Sequence, residues 1–363
     1  MEKATIVCCI EGGGLEDQCK LLISSLRHFG GVLATAPILA INGRRGPELS
    51  QDTVAFLLKH HVTLVKLQKS TIGFEWFNYS NKVKAIEYAE QAALTGQVIW
   101  LDSDIIITGD LNTLLLSKDE DVAVRIEPVM PSITPEDGSE LNYWQSLAKI
   151  VGCNFSDIPW VESEGRIKLA YFNSGVIAWR RTSGFARSYV KAFVSLMNSR
   201  LAQSNGSFFA ADQVIIAPVI AKENLRWRSL SRDDHRMVFP ALLQSDSRSW
   251  HGSKLLHYSG SRSSERKPLF EQRLRAELPG VASWLKSNEP EHVEMGWPER
   301  QYALALKIWR NLHWRLYAAR TKKCPVDARL DLARRHNDSA RLRGDRIFDA
   351  APTTGWQTVA IDD

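Results

Sequence analysis

Through the first 125 residues, short apolar runs alternate with segments whose apolar positions return every three or four residues. Ala4 to Ile10 is a β-branched run and predicts a strand. Over Glu16 to Phe29, Leu22, Ile23, Leu26 and Phe29 share one helical face, and Gly30-Gly31 stops the helix. Pro37 to Ile41 predicts a buried strand ended by Asn42-Gly43. Ser50 stands where it can cap a helix running to Lys59, and Val62 to Leu67 is the next strand. Asn81 to Leu94 is helical, with Val83, Ile86 and Ala89 to Ala93 inward, and Gln97 to Leu101 is a fourth strand. Strands separated by helices of about 10–15 residues form βαβ units, so the pattern predicts a mostly parallel sheet with helices on both faces.

The pattern changes further on. Val122 to Ile126 continues as a strand, and Glu127 to Gly138 is a Pro-rich loop. A helix over about Leu141 to Val151 follows. Lys168 to Tyr171 and Gly175 to Trp179 read as strand pieces flanking a polar turn. Gly184 to Arg200 is helical, and Ala211 to Ile220 is a helix preceded by Gly206. Leu225 to Leu230 and Lys254 to Tyr258 are short strands. The chain then reads helical from Pro268, and Ala350 to Asp363 reads as irregular. The division this predicts is an α/β domain over residues 1–270 and a helical, basic extension over 271–363.

Hydrophobic residues make up 44% of the 363 positions and charged residues 24%, which excludes a disordered or collagen-like chain. No run approaches the roughly 20 apolar residues of a membrane span. The N-terminal residues lack a basic segment followed by an apolar core, so no secretory signal is expected. The five cysteines form no CxxC or Cys/His zinc spacing, and a reduced, cytoplasmic setting is the expectation. The net charge of +5 is unevenly placed. Arg300 to Arg346 holds thirteen basic residues against four acidic ones, a local +9, which leaves the body at −4. A mildly acidic body with a basic tail suggests chemistry in the first and an anionic surface for the second.

The sharpest local feature is Val98 to Ile107, an apolar strand that runs into Asp102-Ser103-Asp104 and on into Ile105-Ile106-Ile107. At a period of two, Asp102 and Asp104 project to the same side. In α/β sheets ligands bind outside the carboxyl ends of strands. Two carboxylates converging there suit Mg2+ or Mn2+, and such an ion grips a diphosphate as well. Three later segments add to it. Phe172-Asn173-Ser174-Gly175 lies between apolar runs, a composition for close backbone approach with a polar side chain aimed at a ligand. Asp212-Gln213 opens a helix, where a carboxylate complements the helix dipole. His257 ends a short strand, with Gly260 close behind.

In this order and at these distances, the segments resemble the motifs of nucleotide-sugar glycosyltransferases of the single-domain, Rossmann-like GT-A fold. The resemblance is to the retaining family of glycogenin and the bacterial lipopolysaccharide galactosyl- and glucosyltransferases. That family has Asp-x-Asp, then Phe-Asn-x-Gly-Val, then Asp-Gln, then His-x-x-Gly with a following Lys-Pro. Here these are Asp102-Ser103-Asp104, Phe172 to Val176, Asp212-Gln213, and His257 to Gly260 with Lys267-Pro268. The resemblance covers roughly Ala4 to Pro268. It implies a divalent cation, Mn2+ or Mg2+, on Asp102, Asp104 and His257. It implies a donor, expected to be a UDP-sugar, against Lys82, Ser103, Gly260 and Lys267. Asn173, Asp212 and Gln213 would line the donor sugar and carry the transfer.

The sequence departs from the family in two places. Six residues, Ser261 to Arg266, separate Gly260 from Lys267, so Arg262 or Arg266 could take the phosphate role. Val214 follows Asp212-Gln213 where the family often has a second acid. If transfer retains configuration, the leaving phosphate can take the acceptor's proton; if it inverts, Asp212 is the candidate base. A haloacid-dehalogenase-like phosphatase is the rival reading, with Asp102 as nucleophile, Asp104 as acid/base and Asp233-Asp234 as later metal acids. A sugar- or nucleotide-binding protein without catalysis is the other. The expected acceptor is a glycan, a lipid-linked glycan or a small molecule, met by the loop Glu127 to Gly138, the next helix and the extension. Trp144, Trp160, Trp179 and Trp250 could stack on sugars or pack inside. No base-reading motif points to nucleic acid. Ala305, Trp309, Leu312 and Leu316 recur at helical spacing among Arg310, Trp314, Tyr317, Arg320, Lys322 and Lys323. Such a stripe either docks on the body or lies on an anionic membrane at its inner face.

Overall fold

A computed structural model describes residues 4–67, 74–127, 138–163, 166–199, 201, 211–244, 248–290, 292, 295–320, 345–350 and 356–359. The expected acceptor loop over 128–137, Gly206, and the basic stretch 321–344 with Lys322 and Lys323 lie outside the described residues. The elements begin with β1 (Ala4–Cys9), α1 (Gly14–Phe29), β2 (Ile38–Asn42), α2 (Gln51–Lys59), β3 (Val62–Lys66) and α3 (Ser80–Ala92). Next come β4 (Gln97–Leu101), β5 (Ile105–Ile107), β6 (Val122–Ile126), α4 (Gly138–Val151), β7 (Trp160–Ser163), β8 (Arg166–Leu169) and β9 (Phe172–Arg180). They continue with α5 (Phe185–Asn198), α6 (Ala211–Val214), α7 (Ile216–Lys222), β10 (Trp227–Ser229), β11 (Arg236–Met237) and β12 (Leu255–His257). The last are α8 (Lys267–Glu277), α9 (Pro279–Asn288), α10 (Trp297–Arg320), β13 (Asp345–Ala350) and β14 (Trp356–Val359). Among the described residues no helix is long and apolar enough to cross a membrane.

The chain forms two compact units. The first comprises Met1–Ser117, Gly175–Ala178 and Arg232–Leu312. Its strands run β4-β1-β2-β3, all parallel, with Ile6 opposite both Ile38 and Ile99. Every residue of β1 and β4 is buried, as expected of parallel strands covered on both faces by crossover helices. Ser50 caps α2 as predicted, its hydroxyl accepting from the Thr53 amide at 3.1 Å. A second, smaller sheet places β12 between β11, parallel to it, and β5, antiparallel to it. Helices α8 and α9 belong to this unit's core, where Phe270, Leu274, Val281 and Leu285 pack with Ile106, Leu256 and Trp250. Burying each such side chain stabilises by about 1.5–3 kcal/mol. Within this unit α10 is held by Arg310, past its midpoint, which donates to the Arg45 carbonyl at 2.6 Å.

The second unit comprises Lys118–Ser174, Trp179–Ser231 and His313–Asp363. Strand β10 pairs in parallel with β6, Trp227 opposite Val122. On either side of β6 the Glu127 amide donates to the Tyr171 carbonyl, and the Arg180 amide donates to the Asp121 carbonyl. Helices α4, α5 and α7 pack together on the buried face of Phe185, Tyr189, Phe193 and Leu196. Strands β7 and β8 form a hairpin; β13 joins β7, and β14 joins β13. Trp144, Trp160 and Trp179 are buried in this unit and Trp250 in the first, so all four pack inside.

Three local expectations need correction. The polar turn at Asn173-Ser174-Gly175 is the interior of a continuous strand, β9, buried from Phe172 to Trp179. Asn173 and Ser174 tolerate this because each bonds a carboxylate, as described below. The helix over Ala211 to Ile220 is broken after Val214. Pro218 has no amide to give the Val214 carbonyl and crowds it, which ends α6 there. Trp356–Val359, read as irregular, is strand β14.

Candidate functional site

In the first unit, Asp102, Asp104 and His257 come together. Asp102 follows the last residue of β4, and its amide donates to the Gly175 carbonyl at 2.8 Å. Asp104 directly precedes β5, and its carbonyl accepts the Tyr258 amide at 3.0 Å. The antiparallel register sets His257 opposite Ile105, next to Asp104. His257 Nε2 lies 3.1 Å from Asp104 Oδ1 and 3.9 Å from Asp102 Oδ2. One ligand atom from each of the three lies within 4.8 Å of the others. Two carboxylates and an imidazole are a donor set that fits Mn2+ or Mg2+ and leaves positions open for further oxygen ligands.

A lysine completes the electrostatics. Lys82, near the start of α3, reaches both Asp102 oxygens at 3.0 and 3.1 Å. The buried Trp100 indole donates to Asp102 Oδ1 at 2.7 Å. The Lys82 ammonium also lies over the Trp100 and Tyr79 rings. Burial raises the Asp102 pKa above its ordinary value, and Lys82 and His257 only partly offset it. Burial pushes Asp104 the same way, but the His257 imidazole overrides it and holds that carboxyl below its ordinary value. Burial opposes charge on His257, yet the Asp104 and Asp102 carboxylates outweigh it and raise the imidazole above its ordinary value.

The second unit gathers the other predicted group. Asn173 Nδ2 donates to Glu127 Oε2 at 3.0 Å. The Ser174 hydroxyl donates to Asp212 Oδ2 at 2.6 Å, and the Tyr189 hydroxyl donates to the Asp212 carbonyl at 2.8 Å. Asp212 is fully buried, whereas its neighbour Gln213 is half-buried.

Three predicted donor contacts have other engagements. The Ser103 hydroxyl bonds Gln18 Oε1 at 3.2 Å. Lys267 is 2.6 Å from Glu289 and 3.8 Å from Glu271. Arg262 also holds Glu289, at 2.6 Å. Gly260 has φ 80°, the left-handed region that favours glycine, with open space where a Cβ would stand.

Sequence reasoning missed Trp100, Glu127 and His235. Glu127 ends an apolar strand, a weak signal in itself. His235 Nε2 lies 3.1 Å from His257 Nδ1, with the two buried rings stacked 14° from parallel. Nothing local in Asp233-Asp234-His235 announces that contact.

Residues 6–224 match the family described as the Rhodobacterales glycosyltransferase domain. No curated protein matches the chain in sequence. Among solved structures the chain is similar to the glycosyltransferase GlyE of Streptococcus pneumoniae TIGR4, at 14% identity and a TM-score of 0.47 over 81% of this chain and 66% of that one. It is similar to the galactosyltransferase LgtC in complex with donor and acceptor sugar analogs, at 11% identity and 0.45 over 82% and 99%. It is also similar to the WbbM bifunctional glycosyltransferase, at 11% identity and 0.41 over 79% and 52%. The chain thus spans about half the length of WbbM and two thirds of GlyE.

Proposed function

Because the chain belongs to the Rhodobacterales glycosyltransferase domain family, it is a glycosyltransferase, and we propose that it moves a hexose from a nucleoside-diphosphate sugar, with UDP as the nucleotide. The acceptor is a glycan, a lipid-linked glycan or a small molecule, and configuration is retained. The observation that carries this reading is the convergence of Asp102, Asp104 and His257 at the ends of three strands. These three would hold Mn2+ or Mg2+, which when bound supplies Lewis-acid charge to the diphosphate.

The chain's own residues supply the rest. Lys82 offsets the Asp102 charge and presents a fixed cation beside the donor. Lys267 and Arg262 would exchange Glu289 for the diphosphate, and Ser103 and Gly260 would line the donor. Asn173, its amide nitrogen held by Glu127, offers an amide oxygen to the positive charge that develops on the sugar. Gln213, half-buried, serves in the same way. The bond from the anomeric carbon to the diphosphate breaks, a bond to the acceptor oxygen forms, and the acceptor's proton passes to the departing phosphate. The complete burial of Asp212, tied to Ser174, supports retention, because it keeps that carboxylate from acting as base for an acceptor. Asp212 then positions β9. The family match favours neither the phosphatase nor the non-catalytic reading.

We also assign α10 an anionic membrane surface at the inner, cytoplasmic face. Of the expected stripe, Ala305, Trp309, Leu312 (53%) and Leu316 (47%) are exposed, and Trp297 (73%), Leu304 (52%) and Ile308 (61%) widen the exposed apolar surface. Arg300, Lys307 and Arg315 stand along it.

A donor screen tests the transferase reading. UDP, GDP, CMP and TDP are each added with and without Mn2+ while the melting temperature is followed. UDP with Mn2+ is expected to raise it most; no nucleotide response in the presence of Mn2+ would overturn the reading.

A further inference from the structure

We propose that His235 is a positioning residue for His257: it accepts the proton on His257 Nδ1 and thereby leaves Nε2 bare towards the cation site. The proposal rests on the reading that Asp102, Asp104 and His257 hold a divalent cation.

The geometry is tightly determined. His235 Nε2 and His257 Nδ1 are 3.1 Å apart, a hydrogen-bond distance, and both residues are buried. The segment carrying His235 is clamped to β12 along its length. The Lys254 amide donates to the Asp233 carbonyl at 2.6 Å, and the Val238 amide donates to the His257 carbonyl at 2.9 Å. The Thr113 hydroxyl holds Asp234 at 2.5 Å, and the Ser261 hydroxyl holds the Val238 carbonyl at 2.8 Å. Parallel pairing sets Met237 opposite His257 and Arg236 opposite Leu256. These contacts fix the backbone on either side of His235, and its ring is fully buried against that of His257.

Proton counting then fixes the roles. A neutral imidazole carries one proton and offers one lone pair. His257 directs Nε2 at the carboxylates, so that is the nitrogen that would ligate a cation. Once Nε2 ligates, the remaining proton of His257 stands on Nδ1. The 3.1 Å contact is then a hydrogen bond only if His235 Nε2 is bare, which places the His235 proton on its own Nδ1. The opposite tautomer of His235 would set two N–H groups against each other at that distance. When His257 is doubly protonated, Nδ1 again carries a proton, and the same assignment holds. Metal-ligating histidines commonly give their second N–H to a carboxylate or carbonyl. An imidazole in that place orients the ligand without adding negative charge to a cluster that already holds two carboxylates.

The test is a Mn2+ titration without donor, following free Mn2+ by electron paramagnetic resonance, on the wild type, His235→Phe and His235→Gln. Phenylalanine keeps a ring against His257 but removes the acceptor; glutamine restores an acceptor oxygen. His235→Phe is expected to bind Mn2+ about 10- to 100-fold more weakly, and His235→Gln to recover most of that loss. Equal affinity in His235→Phe and wild type overturns the proposal, and so does a glutamine variant as weak as the phenylalanine one. A wild type that does not bind Mn2+ overturns the cation reading itself. If His235→Phe does not fold, long-range proton–nitrogen spectra of Mg2+-saturated wild type decide. A bare His235 Nε2 and a protonated His257 Nδ1 are expected; a proton on His235 Nε2 refutes the assignment.

Discussion

Asp104 is half-buried, and the imidazole 3.1 Å away holds its carboxyl below the ordinary value and so ionised. Its negative charge is therefore what the proposed cation site would use. Asp104→Asn keeps the shape and removes the charge. We expect its Mn2+ affinity to fall by more than the roughly 10–100-fold lost when a ligand's supporting partner is removed, with transfer abolished and the circular dichroism of the wild type. Mn2+ binding at wild-type strength would remove Asp104 from the cation site. Ser174→Ala tests a different role. It strips a donor from the buried Asp212, so stability should drop by about 1–3 kcal/mol in urea unfolding. An unchanged midpoint would mean that Asp212 loses nothing with the hydroxyl. Asp102, Asp104 and His257 were legible because strand-end acids and a strand-end histidine are local patterns with a period. Trp100 and His235 were not, since one acts two residues along its own strand and the other through a strand pairing.

At the scale of elements, β9 shows where local reading fails. Asn-Ser-Gly has turn composition, but Glu127 and Asp212 satisfy its polar groups from 46 and 38 positions away. No window of sequence contains both partners, so the strand was hidden. The parallel βαβ series was legible because its apolar runs are continuous. In α10 the sequence carries two faces and marks only one. Ala303, Leu306 and Arg310 are half-buried in the first unit, and in the second the Tyr317 hydroxyl donates to the Met197 carbonyl. Leu304, Ile308 and Leu312 remain outside. Replacing these three with Glu should therefore spare the melting temperature and abolish co-sedimentation with anionic vesicles at low salt. Each basic residue near such a surface adds up to about 1 kcal/mol. Equal binding of wild type to neutral and anionic vesicles would end the membrane reading.

For the whole molecule, the cluster couples stability to pH and, with the cation proposed above, would couple it to metal. His257 has a raised pKa, so its charged form supports the metal-free fold fully below 6.5, and that support is lost as the pH rises through the raised value. Asp104 has a lowered pKa, so its support is present above 3.8 and lost only as the pH falls through the lowered value. A cation on Nε2 must displace the His257 proton. The rise in melting temperature caused by Mn2+ should therefore be small near about pH 6 and grow towards about pH 8. A rise independent of pH over that interval would show that His257 is not a ligand. The first unit is assembled from three stretches of chain, the last of them Arg232–Leu312. Asp104 and His257 stand about 150 residues apart, and β5 finds its antiparallel partner only in β12. During synthesis, then, β5 waits with an unpaired edge while more than a hundred further residues emerge. Pairing at such sequence separation is slow. A nascent chain halted before Arg232 has Asp102 and Asp104 without His257, so the cation site proposed above stays incomplete until about three quarters of the first unit has been made.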